Sequence, residues 1–205
     1  MTPSDLRATV LKAAVDHIAD HGPDGLSFRR IAQDAGVTHQ APYHHFSDRS
    51  GIFAAIAAEG FAALATVMGE AIAAPEGDPA TALLESYVGF ALDHRGHFRV
   101  MFRPDLFGDG HEPEVAQLGE QAFELLVDFV RVALGPHASL DDVRYRAVAM
   151  WALAHGLATL LIDGPLENKV GPVVDRRALI RAVAEQSGMA ATIATTARPR
   201  RKRRA

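Results

Sequence analysis

The chain has 205 residues, 48% of them apolar, 22% charged and 7% aromatic, with no cysteine. That apolar share supports a packed core and argues against a wholly disordered chain, while the missing cysteines exclude a disulfide scaffold, a thiol nucleophile and cysteine-ligated zinc. The formal net charge of −4 argues, taken alone, against a nucleic-acid partner, which usually carries a basic footprint.

Helical spacing runs through the whole sequence, and no stretch alternates as a strand does. A first helix is expected from Ser4 to His21, with Leu6, Val10, Ala13, Ala14 and Ile18 on one face and Gly22-Pro23-Asp24-Gly25 as its stop. A short helix follows from Ser27, its cap, to Ala35, with Phe28, Ile31 and Ala32 inward and Gly36 in the left-handed position that ends it. Thr38 to His44 reads as a second short helix, held by Val37, Ala41 and Phe46. Ser47-Asp48 then opens a long helix to Ala74, and Pro75 to Pro79 is a linker. Four more helices are expected at 80–94, 97–103, 113–134 and 140–164, with a turn-rich loop from Pro104 to Pro113 and a last helix at 174–188. The fold class is all-α: an N-terminal three-helix helix-turn-helix domain over 1–50, a helical bundle over 51–190 and a disordered basic tail over 191–205. The N-terminal residues carry charges throughout and lack the pattern of a secretory signal. The longest uncharged apolar run, Ala147 to Ile162, falls short of the roughly twenty residues a bilayer span needs. The expectation is a cytoplasmic protein with no membrane partner.

A capped helix, a glycine stop, a tight turn and a second short helix form the layout that presents one helix to the DNA major groove. The outward residues of the second helix are Thr38, His39, Gln40, Tyr43 and His44. A Thr38 cap would leave amides open to a phosphate, and His39 and Gln40 suit base edges, glutamine through a bidentate pair with adenine. Tyr43 and His44 suit the phosphate backbone, with Arg29, Arg30 and Arg49 adding charge.

This block resembles the DNA-binding domain of the TetR family of transcriptional repressors. The residues that carry the resemblance are Ser27, Arg30, Ile31-Ala32, Ala35-Gly36-Val37-Thr38, Tyr43-His44-His45-Phe46 and Arg49, over about residues 5–55. Two departures stand out: Arg49 where the family more often has lysine, and Pro42, which deletes an early backbone bond to Thr38. The resemblance implies a homodimer on a palindromic double-stranded DNA operator and a C-terminal domain that senses a small-molecule effector. Trp151, His155 and Gly156 are similar to a Trp-His-Gly signature of one subgroup's sensor domain.

The helix carrying that signature is apolar on two faces. Met150, Leu153, Leu157 and Leu161 form one seam, and Ala149, Ala152 and Gly156 a second seam of small residues. A symmetric partner is the natural cover for the second seam, completed by Leu179, Ile180 and Val183 of the last helix; a monomer's central helix has the same pattern. Trp151 and His155 suit the wall of a ligand pocket, with Tyr87, Phe90, His94, Phe98, Met101, Phe102 and Phe123 to complete it, although aromatic residues at this spacing also build plain core. His17 with His21 and His94 with His97 have spacings compatible with metal ligation, but solvated faces fit the first pair and a helix break at Gly96 would separate the second. No cofactor is expected, and no phosphate loop, nucleophile elbow or Glu-x-x-His pairing points to an enzyme. The alternative function is a helical small-molecule-binding or interaction module without DNA binding.

Arg198 to Arg204 hold six of the 21 basic residues, which leaves −10 for the rest of the chain. Residues 1–50 carry five Lys/Arg against six Asp/Glu, a net of −1, with five histidines. DNA affinity is therefore expected to rest on placed contacts and to rise as pH falls through the histidine range. The tail is either a nonspecific phosphate contact or an incidental terminus.

Overall fold

A computed structural model describes residues 3–108, 112–172 and 175–188. The basic tail expected at 191–205, and part of the turn-rich loop, lie outside the described residues. The described residues are helical throughout, with no strand: α1 Pro3–His21, α2 Phe28–Asp34, α3 Arg49–Ala73, α4 Pro79–Asp93, α5 Arg95–Met101, α6 Pro113–Leu134, α7 Leu140–Ile162, α8 Glu167–Val170 and α9 Arg176–Gln186. The all-α expectation holds.

Caps explain most of the boundaries. Ser27 Oγ accepts from Arg30 N at 3.3 Å, Ser139 Oγ from Asp142 N at 3.1 Å, and Asp175 Oδ1 from Ala178 N at 2.9 Å. Gly36, at φ +66, closes α2 with paired bonds from its own N to Gln33 O (3.2 Å) and from Val37 N to Ala32 O (3.0 Å), a Schellman ending.

Packing sorts the chain into two compact units, Met1–Ala63 with Asp93–Gln121, and Leu64–Leu92 with Ala122–Ala205. In the first, Val10, Leu11, Ala14 and Ile18 of α1 are buried with Ile31 of α2 and with Ile52, Phe53 and Ile56 of α3. In the second, Leu83, Tyr87 and Val88 of α4, Val127 and Val130 of α6 and Ala147, Met150, Ala154 and Leu157 of α7 form the core. Arg181 Nε of α9 donates to Glu85 Oε1 of α4 at 2.7 Å.

Two features differ from the sequence expectation. Helices α3 and α7 are long and apolar enough to cross a bilayer by length and composition, because α3 carries Glu59 as the one charge in a long apolar stretch. Ile52, Phe53, Ile56, Leu64 and Met68 of α3 are nevertheless buried inside protein. Gly96 is not a helix break but lies within α5, at the point where α5 meets α1.

Candidate functional site

The helix-turn-helix begins as expected and then departs from a regular helix. After α2 and its Gly36 ending, Thr38 to His44 does not form an α-helix; the segment folds as successive tight turns around a 3₁₀ stretch, Pro42–His44. Ala41 N donates to Thr38 O at 3.0 Å, Tyr43 N to Gln40 O at 3.1 Å, and His44 N to Ala41 O at 3.3 Å. Pro42 is the cause: it has no N–H to give Thr38 O, which takes the amide three residues on instead. The expected Thr38 cap is therefore replaced, since the 3₁₀ stretch starts after Ala41 with no side-chain cap. Buried Ala41, Pro42 and Phe46 hold the segment, while Val37 is half-buried.

All eight expected DNA-facing residues are exposed: Arg29, Arg30, Thr38, His39, Gln40, Tyr43, His44 and Arg49. Tyr43 lays its ring edge against buried Phe28, centroids 4.3 Å apart, and this fixes the direction of its hydroxyl. Arg30 Nε donates to Asp34 Oδ2 at 3.0 Å. Arg49 differs most from expectation: its Nη1 donates to the carbonyls of Asp24 and Leu26, at 3.2 and 3.3 Å.

The histidine pairs have structural settings. His17 and His21 stack with centroids 4.7 Å apart, and His17 Nδ1 lies 3.5 Å from Asp34 Oδ2, so His17 packs against α2 rather than solvent. His94 and His97 meet edge to face at 5.7 Å, with His97 Nε2 3.8 Å from Glu59 Oε2. Among the described residues, no group of three or more histidine, aspartate or glutamate side chains could hold a metal ion.

The nine expected ligand-lining residues fall into separate units. Tyr87, Phe90, Phe123, Trp151 and His155 belong to the second, and His94, Phe98, Met101 and Phe102 to the first. In the second unit, Trp151 Nε1 donates to Tyr87 Oη at 3.2 Å, and Tyr87 Oη is bonded to His155 Nδ1 at 3.0 Å. Phe123 packs on Trp151 at 5.8 Å. Tyr87 Oη thus joins an indole donor and an imidazole nitrogen at one point between α4 and α7. In the first unit Phe98 and Phe102 meet at 5.5 Å, and Phe102 meets Phe61 of α3, which the sequence expectation does not include, at 5.4 Å.

Burial lowers His155 below the ordinary histidine value of 6.5 and raises Tyr87 strongly, against the bond from Trp151. His97 is lowered too, first by burial and then by His94. A histidine held neutral in the fold leaves the unfolded chain to take the proton first. Its stabilisation is complete above pH 6.5 and is lost as pH falls through the folded value. Denaturant unfolding is therefore expected to shift to lower midpoint from pH 7.5 to 5.5, with His155→Gln removing part of the shift; an unaltered shift in that variant would contradict the assignment.

Of the expected partner-facing residues, Ala149, Ala152 and Gly156 are exposed on α7, next to Tyr145 (71% exposed), Val148 and Leu160. Leu179 and Val183 are half-buried, whereas Ile180 is 3% exposed and packs within its own unit. The seam of Met150 and Leu157 is buried, so α7 has one closed and one open apolar face.

Known proteins match both halves of the chain. Residues 10–56 match the profile of the tetR family of bacterial regulatory proteins, and residues 80–186 a tetracyclin repressor-like C-terminal domain. The HTH-type transcriptional repressor AcnR of Corynebacterium glutamicum is 35% identical over 68 residues, 33% of this chain and 36% of that protein; its counterpart in Corynebacterium diphtheriae is 38% identical over 64 residues, 31% and 34%. The chain thus spans about a third of the length of the curated relatives it matches. A solved protein of unknown function from Rhodococcus sp. RHA1 superposes with TM-score 0.73 at 30% identity, covering 94% of this chain and 96% of that one. The TetR family regulator PfmR from Thermus thermophilus has the same fold, with TM-score 0.68 at 16% identity over 89% and 97%. With the N-terminal profile at its helix-turn-helix and the C-terminal profile spanning more than half its length, the chain belongs to the tetR family of bacterial regulatory proteins.

Proposed function

We propose that the chain is a DNA-binding transcriptional repressor, a regulator rather than an enzyme, released from a palindromic operator by a small molecule. The observation that carries this reading is the helix-turn-helix at residues 27–46, inside the matched 10–56 segment, with its polar side chains exposed. His39 and Gln40 read base edges, while Thr38, Tyr43, His44, Arg29 and Arg30 face the phosphate backbone. The protein acts in the cytoplasm as a homodimer, whose partner covers the open face of α7 at Ala149, Ala152 and Gly156, with Leu179 and Val183 alongside. Two-fold symmetry then matches two operator half-sites.

The effector binds in the C-terminal half, and Tyr87, Trp151, His155, Phe90 and Phe123, all of the second unit, are the proposed contacts there. The resemblance of Trp151, His155 and Gly156 to the Trp-His-Gly signature supports assigning the sensor domain to that subgroup. Release requires that the effector bind one conformation better than the other.

Two substitutions test the readout on duplexes selected by the wild-type protein. Gln40→Ala is expected to relax preference at one base pair per half-site, a discrimination of about 1–3 kcal/mol, while Tyr43→Phe weakens all duplexes alike. Unchanged base preference in Gln40→Ala would remove Gln40 from the readout. Pro42 favours a second reading, a helical ligand-binding or interaction module without DNA binding, and a mobility shift with genomic fragments separates the two.

A further inference from the structure

The cation that opens the long helix reads, in the sequence, as a phosphate contact. In the structure Arg49 is turned toward its own chain. Its Nη1 donates to Asp24 O at 3.2 Å and to Leu26 O at 3.3 Å, and its guanidinium lies 5.5 Å from the centre of the Phe53 ring. Those carbonyls belong to the turn that enters α2, 25 and 23 residues back along the chain. Everything between, from the Ser27 cap through α2 and the Gly36 ending to the recognition segment and Phe46, is closed into a loop by one side chain.

The closure matters because the recognition segment has no α-helical ladder of its own. Pro42 leaves it a run of tight turns, seated by buried Ala41, Pro42 and Phe46. Its attitude therefore depends on how firmly its two flanks are held. The downstream flank is fixed where Asp48 Oδ1 accepts from Gly51 N at 2.9 Å and from Ser50 Oγ at 2.6 Å. The upstream flank is the Asp24–Leu26 turn, and Arg49 ties it to the downstream one.

We infer that Arg49 is a positioning residue for DNA recognition, clamping the α1–α2 turn to the start of α3 so that the Thr38–His44 segment is presented at a fixed angle. The inference rests on the DNA-binding reading above. Arginine suits the task because its Nη1 donates to both carbonyls while the planar guanidinium lies over an aromatic ring. A lysine ammonium keeps the charge but loses that planar geometry.

The test uses the full chain carrying Arg49→Lys, with Arg49→Ala beside it, and two readouts. Without DNA, amide exchange at Leu26 and Arg30 in Arg49→Lys is expected to be about tenfold faster than wild type, as the loss of one charge-assisted hydrogen bond would give. With DNA, the probes are a duplex selected by the wild-type protein from a random pool and a scrambled duplex of equal length. Arg49→Lys is expected to bind the selected duplex about tenfold more weakly and the scrambled one within about twofold, with the salt slope unchanged because no phosphate contact is lost. Wild-type exchange and wild-type discrimination in Arg49→Lys would overturn the clamp. So would a salt slope reduced by about one in Arg49→Ala but intact in Arg49→Lys, the mark of a phosphate ligand. If Arg49→Ala does not fold, the amide exchange and the discrimination of Arg49→Lys decide. A wild-type protein that selects no duplex overturns the DNA-binding function itself, and exchange in Arg49→Lys still reports whether the clamp exists.

Discussion

Gly96→Ala is expected to destabilise the protein by at least about 3 kcal/mol, the upper end of overpacking costs and a large part of a typical folding free energy. A Cβ at Gly96 would meet Val15 O at 2.3 Å, Val15 Cγ1 at 2.9 Å and Val15 C at 3.0 Å. Two of these atoms are backbone inside α1, so no rotamer change relieves the clash. Helix α5, seven residues long, would have to lift away from α1. Two other glycines calibrate the claim. A Cβ at Gly60 would meet Met101 Sδ at 2.6 Å and Cγ at 2.8 Å, the far end of a flexible side chain that can repack, and His97 Cβ at 3.1 Å, which needs only a few tenths of an ångström, so Gly60→Ala costs less than Gly96→Ala. Gly89 in α4 has nothing within 4 Å of that position, and there alanine should stabilise by up to about 1 kcal/mol through helix propensity. Urea unfolding of the three variants checks the order; Gly96→Ala as stable as Gly89→Ala would contradict the packing.

Tyr87→Phe is expected to cost about 2 kcal/mol and to change the emission of Trp151, the one tryptophan in the chain. The change deletes a single oxygen and leaves the ring in place. That oxygen accepts from Trp151 Nε1 at 3.2 Å and is bonded to His155 Nδ1 at 3.0 Å, in a side chain only 5% exposed. Removing it takes a partner from two other groups at once, and such losses cost more than the bond contributes while it is made. Denaturant unfolding followed by Trp151 fluorescence reads both effects. A wild-type midpoint with unaltered emission would show that Tyr87 is not the hub joining α4 to α7.

What the sequence makes legible is what local chemistry decides. Ser27, Gly36, Ser139 and Asp175 act within a few residues of themselves, so α2, α7 and α9 begin or end close to where caps and breakers point. Gly96 misleads because its reason is Val15, some eighty residues away, and a glycine between two histidines looks like a break. Helix α8, four residues long, is too short to carry a period. Pro42 is visible in the sequence, but whether a short helix bends, shifts or becomes 3₁₀ depends on the buried neighbours that hold it. At the site, the exposure of the eight residues expected to face DNA follows from their polar positions on two short segments and at the first residue of α3. The inward turn of Arg49 does not, since it depends on carbonyls of a turn more than twenty residues earlier. The aromatic residues at 87–155 look like one pocket wall, because helical spacing gives a residue's face but not which compact unit that face joins.

The exposed side chains of Thr38, His39, Gln40, Tyr43 and His44 are proposed to read a two-fold symmetric DNA site. Repeated selection of duplexes from a random pool by the full-length protein tests it most directly, with the retained sequences aligned and the complex footprinted. The expected result is a palindromic consensus with half-site centres about one helical turn, or a whole multiple, apart, and specificity lost in Gln40→Ala. Retention of duplexes with no common sequence, at the affinity of scrambled DNA, would contradict it.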